Sequence, residues 1–349
     1  MAIGRKKREN RLLQDLVSCY SPSGKEQPAA ELLLKFFQHQ GWKALIDGVG
    51  NVIGEIGVGS PVICFLGHID TVAGEIPPRL ERKRLYGRGA VDAKGSLAAA
   101  TCAAARLPSG LSKKIIIVGA VEEEAPSSRG ARHIVGRIRP DFAIIGEPSR
   151  WDRLAIGYKG IFHYKYTLRK PRTHGAAESP SATTHTVALF ADTIKEAEIP
   201  AGWGSPFKAL TTNIRSINTV LEEFAEQVTV TVDMRLPPSV DPNDLERKVR
   251  QSAGDAIIDV IEKLPAVRCG KNNRLVRTLL DAIRQTGGQP RFVLKSGTSD
   301  MNVVAPVWDC PMVAYGPGDS NLDHTPEEHI DLDEYQKAIA ILEKTFLNL

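Results

Sequence analysis

Three short, unbroken, β-branched apolar runs, Val62 to Leu66, Ile115 to Val121 and Phe142 to Ile145, most constrain what this chain can fold into. Each is bounded by Gly or charged residues and lacks the polar alternation of a strand with one wet face. That is the pattern of strands buried on both sides of a mostly parallel sheet. Helical patterns lie between and around them. Leu12 to Gln40 repeats apolar residues at helical intervals with a break at Ser21-Pro22-Ser23-Gly24, and Gly95 to Arg106 is rich in Ala and Leu. Strands alternating with helices imply an α/β fold with helices on both faces of the sheet.

The pattern changes after Tyr158-Lys159-Gly160. Phe162 to Leu168 and Val228 to Met234 alternate apolar and polar residues, while Thr183 to Glu196 and Asp241 to Gln251 carry helical spacing, the latter with Pro242 in its first turn. A β-α-β-β-α-β-like unit follows from this order. The α/β pattern resumes with a helix from Arg274 to Gln285, strands near Phe292 to Leu294 and Met312 to Tyr315, and a last helix from Asp333 to Leu347. At 349 residues the chain exceeds the usual single core. We therefore expect a catalytic domain from 1–158 and 268–349, interrupted by an inserted α+β lid or dimerisation domain at 159–267.

Composition excludes several classes. No apolar run is long enough to cross a bilayer, and Met1 to Cys19 lacks a basic-then-apolar leader, so the expectation is a soluble, cytoplasmic protein with no membrane association. A net charge of +4 without a clustered basic face argues against nucleic acid and suits an acidic substrate or partner. Arg5-Lys6-Lys7-Arg8 reads as a solvated, frayed end rather than a docking site. The five cysteines are scattered, odd in number and never spaced C-x-x-C, so reduced thiols are expected.

Chemistry-bearing residues gather where the apolar strands end. His68-Ile69-Asp70 follows the first run, at the carboxyl end where ligands collect in open α/β sheets. Asp70 points to the same side as His68 and suits the second imidazole N–H, although a purely structural His explains the pair as well. In Gly87-Arg88-Gly89-Ala90-Val91-Asp92-Ala93-Lys94-Gly95, three glycines surround one acid ahead of a helix, fitting either close backbone approach to an ion or a simple cap. Glu122-Glu123-Glu124 ends a very apolar strand. Acids so close need a cation, or one of them must hold a proton, as a general base near neutral pH does. Glu147 in Gly146-Glu147-Pro148-Ser149 and His324 in Asp323-His324-Thr325-Pro326 complete the set. Two His and several carboxylates make a nitrogen and oxygen donor set suited to a pair of zinc-like ions.

These motifs, H-I-D-T, G-R-G-A-V-D-A-K-G, E-E-E, G-E-P-S and D-H-T, in this order resemble the aminoacylase and carboxypeptidase family with co-catalytic zinc. The resemblance covers the chain from about Leu13 onward. It implies two divalent ions, Zn2+ with Co2+ as the alternative, one held by His68, Asp92 and Glu147 and the other by Asp92, Glu124 and His324, with Asp92 shared. It further implies Glu123 as general base, Asp70 as the acid orienting His68, and a cis Asp92–Ala93 peptide. His174, in Thr173-His174-Gly175, is similar to a lid histidine that binds the oxyanion in a partner subunit's site, which implies a homodimer. Arg235 is similar to the residue that forks the substrate carboxylate, and Asn218, Gly297 and Thr298 to further contacts. The compact stretch between His68 and Asp92 and the run from Glu124 to Arg132 resemble the branch that releases lysine or ornithine from a small acidic amino-group carrier protein. The alternatives are a small-molecule deacylase, such as an acetylornithine deacetylase, or a carboxypeptidase, and a metal-free binding module, which would lack a ligand.

Overall fold

The computed structural model describes the chain apart from Met1, Thr173, Gly175, Ala177, Glu178 and residues 198–205, and describes no side chains at 2–3 and 192–197. Two compact units emerge: Met1–Gly157 with Cys269–Leu294 and Ser299–Leu349, and Tyr158–Arg268 with Lys295–Thr298.

In the first unit the apolar runs become the strands Val62–His68, Lys114–Ala120 and Phe142–Ile145. Spatially the sheet runs Lys43–Ile46, Val52–Ile56, Lys114–Ala120, Val62–His68, Phe142–Ile145, Met312–Ala314, Arg153–Tyr158. Its middle strands pair in parallel, and the flanks are antiparallel. Residues of both parities along the central strands, Ile63 and Phe65 as well as Cys64 and Leu66, are fully buried, so both faces are covered. One face packs on the helix Lys94–Ala104, every residue of which is buried. Its small side chains allow close approach to the sheet, and larger residues such as Phe65 and Leu97 supply about 1.5–3 kcal/mol each on burial. The helices Ala2–Ser18 and Leu332–Asn348 join the same core. A separate three-stranded sheet, His329–Asp331 beside Arg84–Tyr86 beside Arg79–Glu81, ties the segment before the glycine loop to the segment after His324.

The amino-terminal end differs from expectation. Arg5 to Arg8 are exposed but lie within the helix Ala2–Ser18 rather than in a frayed end. The helix is held by burial of Leu12, Leu13, Leu16 and Val17 and by the forked pair of Glu9 with Arg106, at 2.7 and 3.0 Å.

The second unit follows the order Gly160–Pro171, helix Ala182–Ala197, Thr211–Leu221, Ala225–Leu236, helix Pro242–Ser252, Ile257–Leu264. Asp241 caps the second helix by accepting from the backbone of Asn243 and Asp244. The four strands form one antiparallel sheet in which Thr211–Leu221 is an edge. Alternation places Phe162, Tyr164, Tyr166, Val228, Val230 and Val232 on one face, where they form this unit's own core with Phe190. All five cysteines are free thiols, with Cys64 and Cys102 buried. Among the described residues no helix is long and apolar enough to cross a membrane.

Candidate metal centre and active site

Parallel strands put their carboxyl ends on one edge, and three of them deliver His68, the Glu122 to Glu124 triplet and Glu147. The glycine loop and the loop after Met312–Ala314 bring in Asp92 and His324. The donor atoms of His68, Asp92 and Glu124 lie within 4.8 Å of one another. His68 Nε2 is 3.2 Å from one oxygen of Asp92, and His324 Nε2 is 3.2 Å from the other oxygen and 3.1 Å from Glu124 Oε1. Asp92 thus presents one oxygen to each imidazole. His68 and Glu147 are buried, whereas the His324 side chain is half exposed.

Loop conformation explains how the sequence reaches this geometry. Gly89 has φ +83°, and a Cβ there would meet Thr71 at 2.8 Å, so the loop closes tightly on the H-I-D-T strand end. The Asp92–Ala93 peptide is cis. Glu122 takes φ 55°, which separates the three consecutive acids. Glu122 turns to Arg129 Nη1 (3.1 Å) and the Ser127 hydroxyl (2.6 Å), while Glu123 lies 3.9 Å from His68 Nε2 and Glu124 faces His324. The three consecutive acids thereby face three different partners.

Asp70 is more extensively used than sequence reasoning suggests. His68 Nδ1 is nearest the Asp70 carbonyl oxygen, at 3.0 Å, with the carboxylate at 3.4 Å. The carboxylate accepts from the Ser23 hydroxyl (2.7 Å) and from the backbone N–H of Glu123 (3.1 Å) and Glu124 (3.0 Å). One residue therefore contacts the His68 ring and holds the turn that carries the general-base candidate. Ser23 sits in a segment whose sequence signals only a helix break.

Negative charge is in surplus. Burial, with the charges of Glu147, Asp300 and Glu124 outweighing His68, raises the Glu123 carboxyl well above its usual range. Burial and the Asp92 charge bring Glu147 up to about 8, and burial brings Asp300 up to about 7. Burial also raises Glu124, aided by Asp92. Burial works against Asp92 ionisation too, yet hydrogen bonds and charge from His324 and His68 hold it well below the ordinary range. Hydrogen bonds to Asp92 and Glu124 raise His324 to about 10. Six carboxylates face two imidazoles, all from the first unit, and a pair of divalent cations would offset the excess. The nitrogen and oxygen donor set fits such ions.

Two further buried acids bear on the cluster, Asp300 in the turn that carries Gly297 and Thr298, and Glu328, which the sequence reading missed. Asp300 is 2% exposed and lends its charge to Glu123 and Glu147. Glu328, 1% exposed, pairs with Arg88 at 2.8 Å. The one available signal was Arg88, a cation in a glycine loop that needs an acid if buried, but its partner is far away in sequence.

The remaining candidates lie in the second unit. Arg235 forks onto Asp233 at 2.9 and 3.0 Å and donates to the Thr298 hydroxyl at 3.3 Å. Asn218 is exposed on the edge strand opposite Thr229, Gly297 is exposed, and His174 is exposed with Nδ1 accepting from the Ala176 N–H at 3.2 Å.

The family model described as Peptidase family M20/M25/M40 matches residues 64–348. A Deinococcus radiodurans protein named [LysW]-lysine hydrolase is 41% identical over 97% of this chain and 96% of its own. An M20 family metallo-carboxypeptidase from Sulfolobus solfataricus shares the fold, with a TM-score of 0.82 at 19% identity over 97% of this chain and 98% of its own. A Bacillus subtilis M20 family peptidase, described as dinuclear metal binding, does so with a TM-score of 0.72 at 13% identity over 99% of both chains.

Proposed function

The chain belongs to the peptidase family M20/M25/M40, and we propose that it is a two-metal amidohydrolase releasing L-lysine, L-ornithine or both from an acidic amino-group carrier protein. The observation that carries the metal reading is Asp92 offering one oxygen to each of two imidazoles at 3.2 Å. His68, Asp92 and Glu147 would hold one ion, and Asp92, Glu124 and His324 the other. Zinc is the metal we favour and cobalt the alternative. When bound, the pair would lower the pKa of water and polarise the scissile carbonyl.

The protein's own groups supply the rest. Glu123 carries no metal in this scheme, so its carboxylate accepts a proton from the attacking water and returns it to the leaving α-amino group. Burial shifts its pKa upward, the direction that a general base near neutral pH needs. Asp70 keeps the Glu123 backbone and the His68 ring in register. Arg235, prearranged by Asp233, would fork the free carboxylate of the substrate, with Asn218, Gly297 and Thr298 as further contacts. His174 would steady the oxyanion in the site of a second copy.

The substrate assignment is supported by the 41% relative and by charge. A chain of net +4 attracts an acidic carrier, and opposite charges speed encounter at low salt. The homodimer is supported by the edge strand Thr211–Leu221, whose Ile217, Val220 and Leu221 are exposed. A cytoplasmic setting fits the free thiols.

The deciding experiment follows amino acid release by the zinc- or cobalt-loaded enzyme from lysine-loaded carrier, ornithine-loaded carrier and acetylornithine, with Glu123→Gln as control. Release from the carriers alone, lost in the variant, is expected. Cleavage of acetylornithine without carrier cleavage would replace the substrate and keep the chemistry.

A further inference from the structure

We propose that Glu328 is a positioning residue for the shared ligand, setting Asp92 through its backbone and locking the Asp92 loop to the His324 loop through Arg88. The proposal rests on Asp92 bridging two ions. Both Glu328 oxygens are committed. Oε1 accepts from the N–H of Val91 at 2.9 Å and of Asp92 itself at 3.2 Å, and Oε2 accepts from Arg88 Nη1 at 2.8 Å. Arg88 in turn donates to the carbonyl of Thr325, next to His324, at 3.3 Å, and to Gly74 at 2.9 Å. The Glu328 carbonyl receives the Gly87 N–H at 3.2 Å, where the glycine loop begins.

The three-stranded sheet that follows pairs Tyr86 with His329, directly beyond these contacts. The ion pair and the sheet together fix two loops distant in sequence to a single register. The carboxylate of Asp92 can face both imidazoles only if its loop keeps that register. Removing one partner leaves the other charge buried and unpaired, so the loop must rearrange. Groups that orient ligands in this way typically change metal affinity by roughly 10- to 100-fold when removed.

The test titrates Co2+ into metal-stripped wild type, Glu328→Ala, Glu328→Gln and a control, Glu9→Gln, reading affinity and the visible absorption bands, with circular dichroism to report folding. Glu9 forms a comparably buried pair with Arg106, beyond the other end of the helix Lys94–Ala104 and about 16 Å along its axis. Both Glu328 variants are expected to stay folded, to bind Co2+ roughly 10- to 100-fold more weakly and to show altered bands. Glu9→Gln should melt earlier with unchanged Co2+ affinity and bands. If Glu328→Ala does not fold, the isosteric Glu328→Gln carries the comparison. Wild-type affinity and spectrum in a folded Glu328 variant would overturn the proposal, as would equal weakening in Glu9→Gln or loss of fold in both Glu328 variants. A wild type that takes up no Co2+ would instead overturn the ligand role of Asp92.

Discussion

The Asp70 carboxylate accepts three hydrogen bonds, two of them from the amides of Glu123 and Glu124, while its neighbouring carbonyl and one of its carboxylate oxygens face His68. Asp70→Asn keeps the shape but aims an amide NH2 at donors on one side, and so should weaken both metal binding and turnover by roughly 10- to 100-fold, read by metal titration alongside kinetics. Glu123→Gln should separate the two effects. It is expected to retain both metals by elemental analysis and to lose kcat by about 10²- to 10⁴-fold, and a loss of metal would refute its unligated role. At this scale the sequence is legible where chemistry constrains it: His68, Asp92, Glu123, Glu124 and His324 come together as their motifs imply. It is illegible where function depends on a partner found only by folding, as with Ser23 and Glu328, which no motif singles out.

The E-E-E turn depends on elements as much as on residues. Asn51 accepts the Val121 N–H at 3.1 Å and donates to the Gly130 carbonyl at 3.1 Å, pinning the end of Lys114–Ala120 to the start of the helix Arg129–Ile134. A Cβ at Gly130 would lie 2.4 Å from Asn51 Oδ1 and 2.6 Å from the Val121 nitrogen. Gly130→Ala should therefore cost about 1–3 kcal/mol by urea unfolding and raise KM or lower kcat through the displaced turn. Unchanged stability would mean that the helix start moves freely. Buried strands and amphipathic helices were readable because burial imposes a period on composition. The short strands Arg79–Glu81, Arg84–Tyr86 and His329–Asp331 were not, because three residues carry no period and their pairing is set by distant chain.

Across the whole molecule, the carboxylate cluster couples stability to pH and metal. Glu147 at about 8 and Asp300 at about 7 bind protons more tightly when folded than when unfolded, and Glu123 and Glu124 shift in the same direction. Their contribution is complete below ordinary carboxylate pKa values and is lost as pH rises through about 8. His324, raised to about 10, acts with the same sign, whereas the depressed Asp92 acts with the opposite sign, its contribution being present above the ordinary carboxylate pKa and lost as pH falls below it. Metal-stripped protein should accordingly melt lower at pH 8 than at pH 6, by roughly 2–4 °C per kcal/mol lost, while metal-loaded protein shows a shallower decline. Equal slopes by calorimetry would disprove the coupling.

All the proposed metal donors belong to one compact unit, and Asn218, Arg235, Gly297 and Thr298 to the other. Inheritance can act on the two separately. On the proposed roles, change at Asn218 or Arg235 would alter what is cut before it altered whether anything is cut, so a lineage could acquire a new diet of substrates while its hydrolytic engine is copied unchanged.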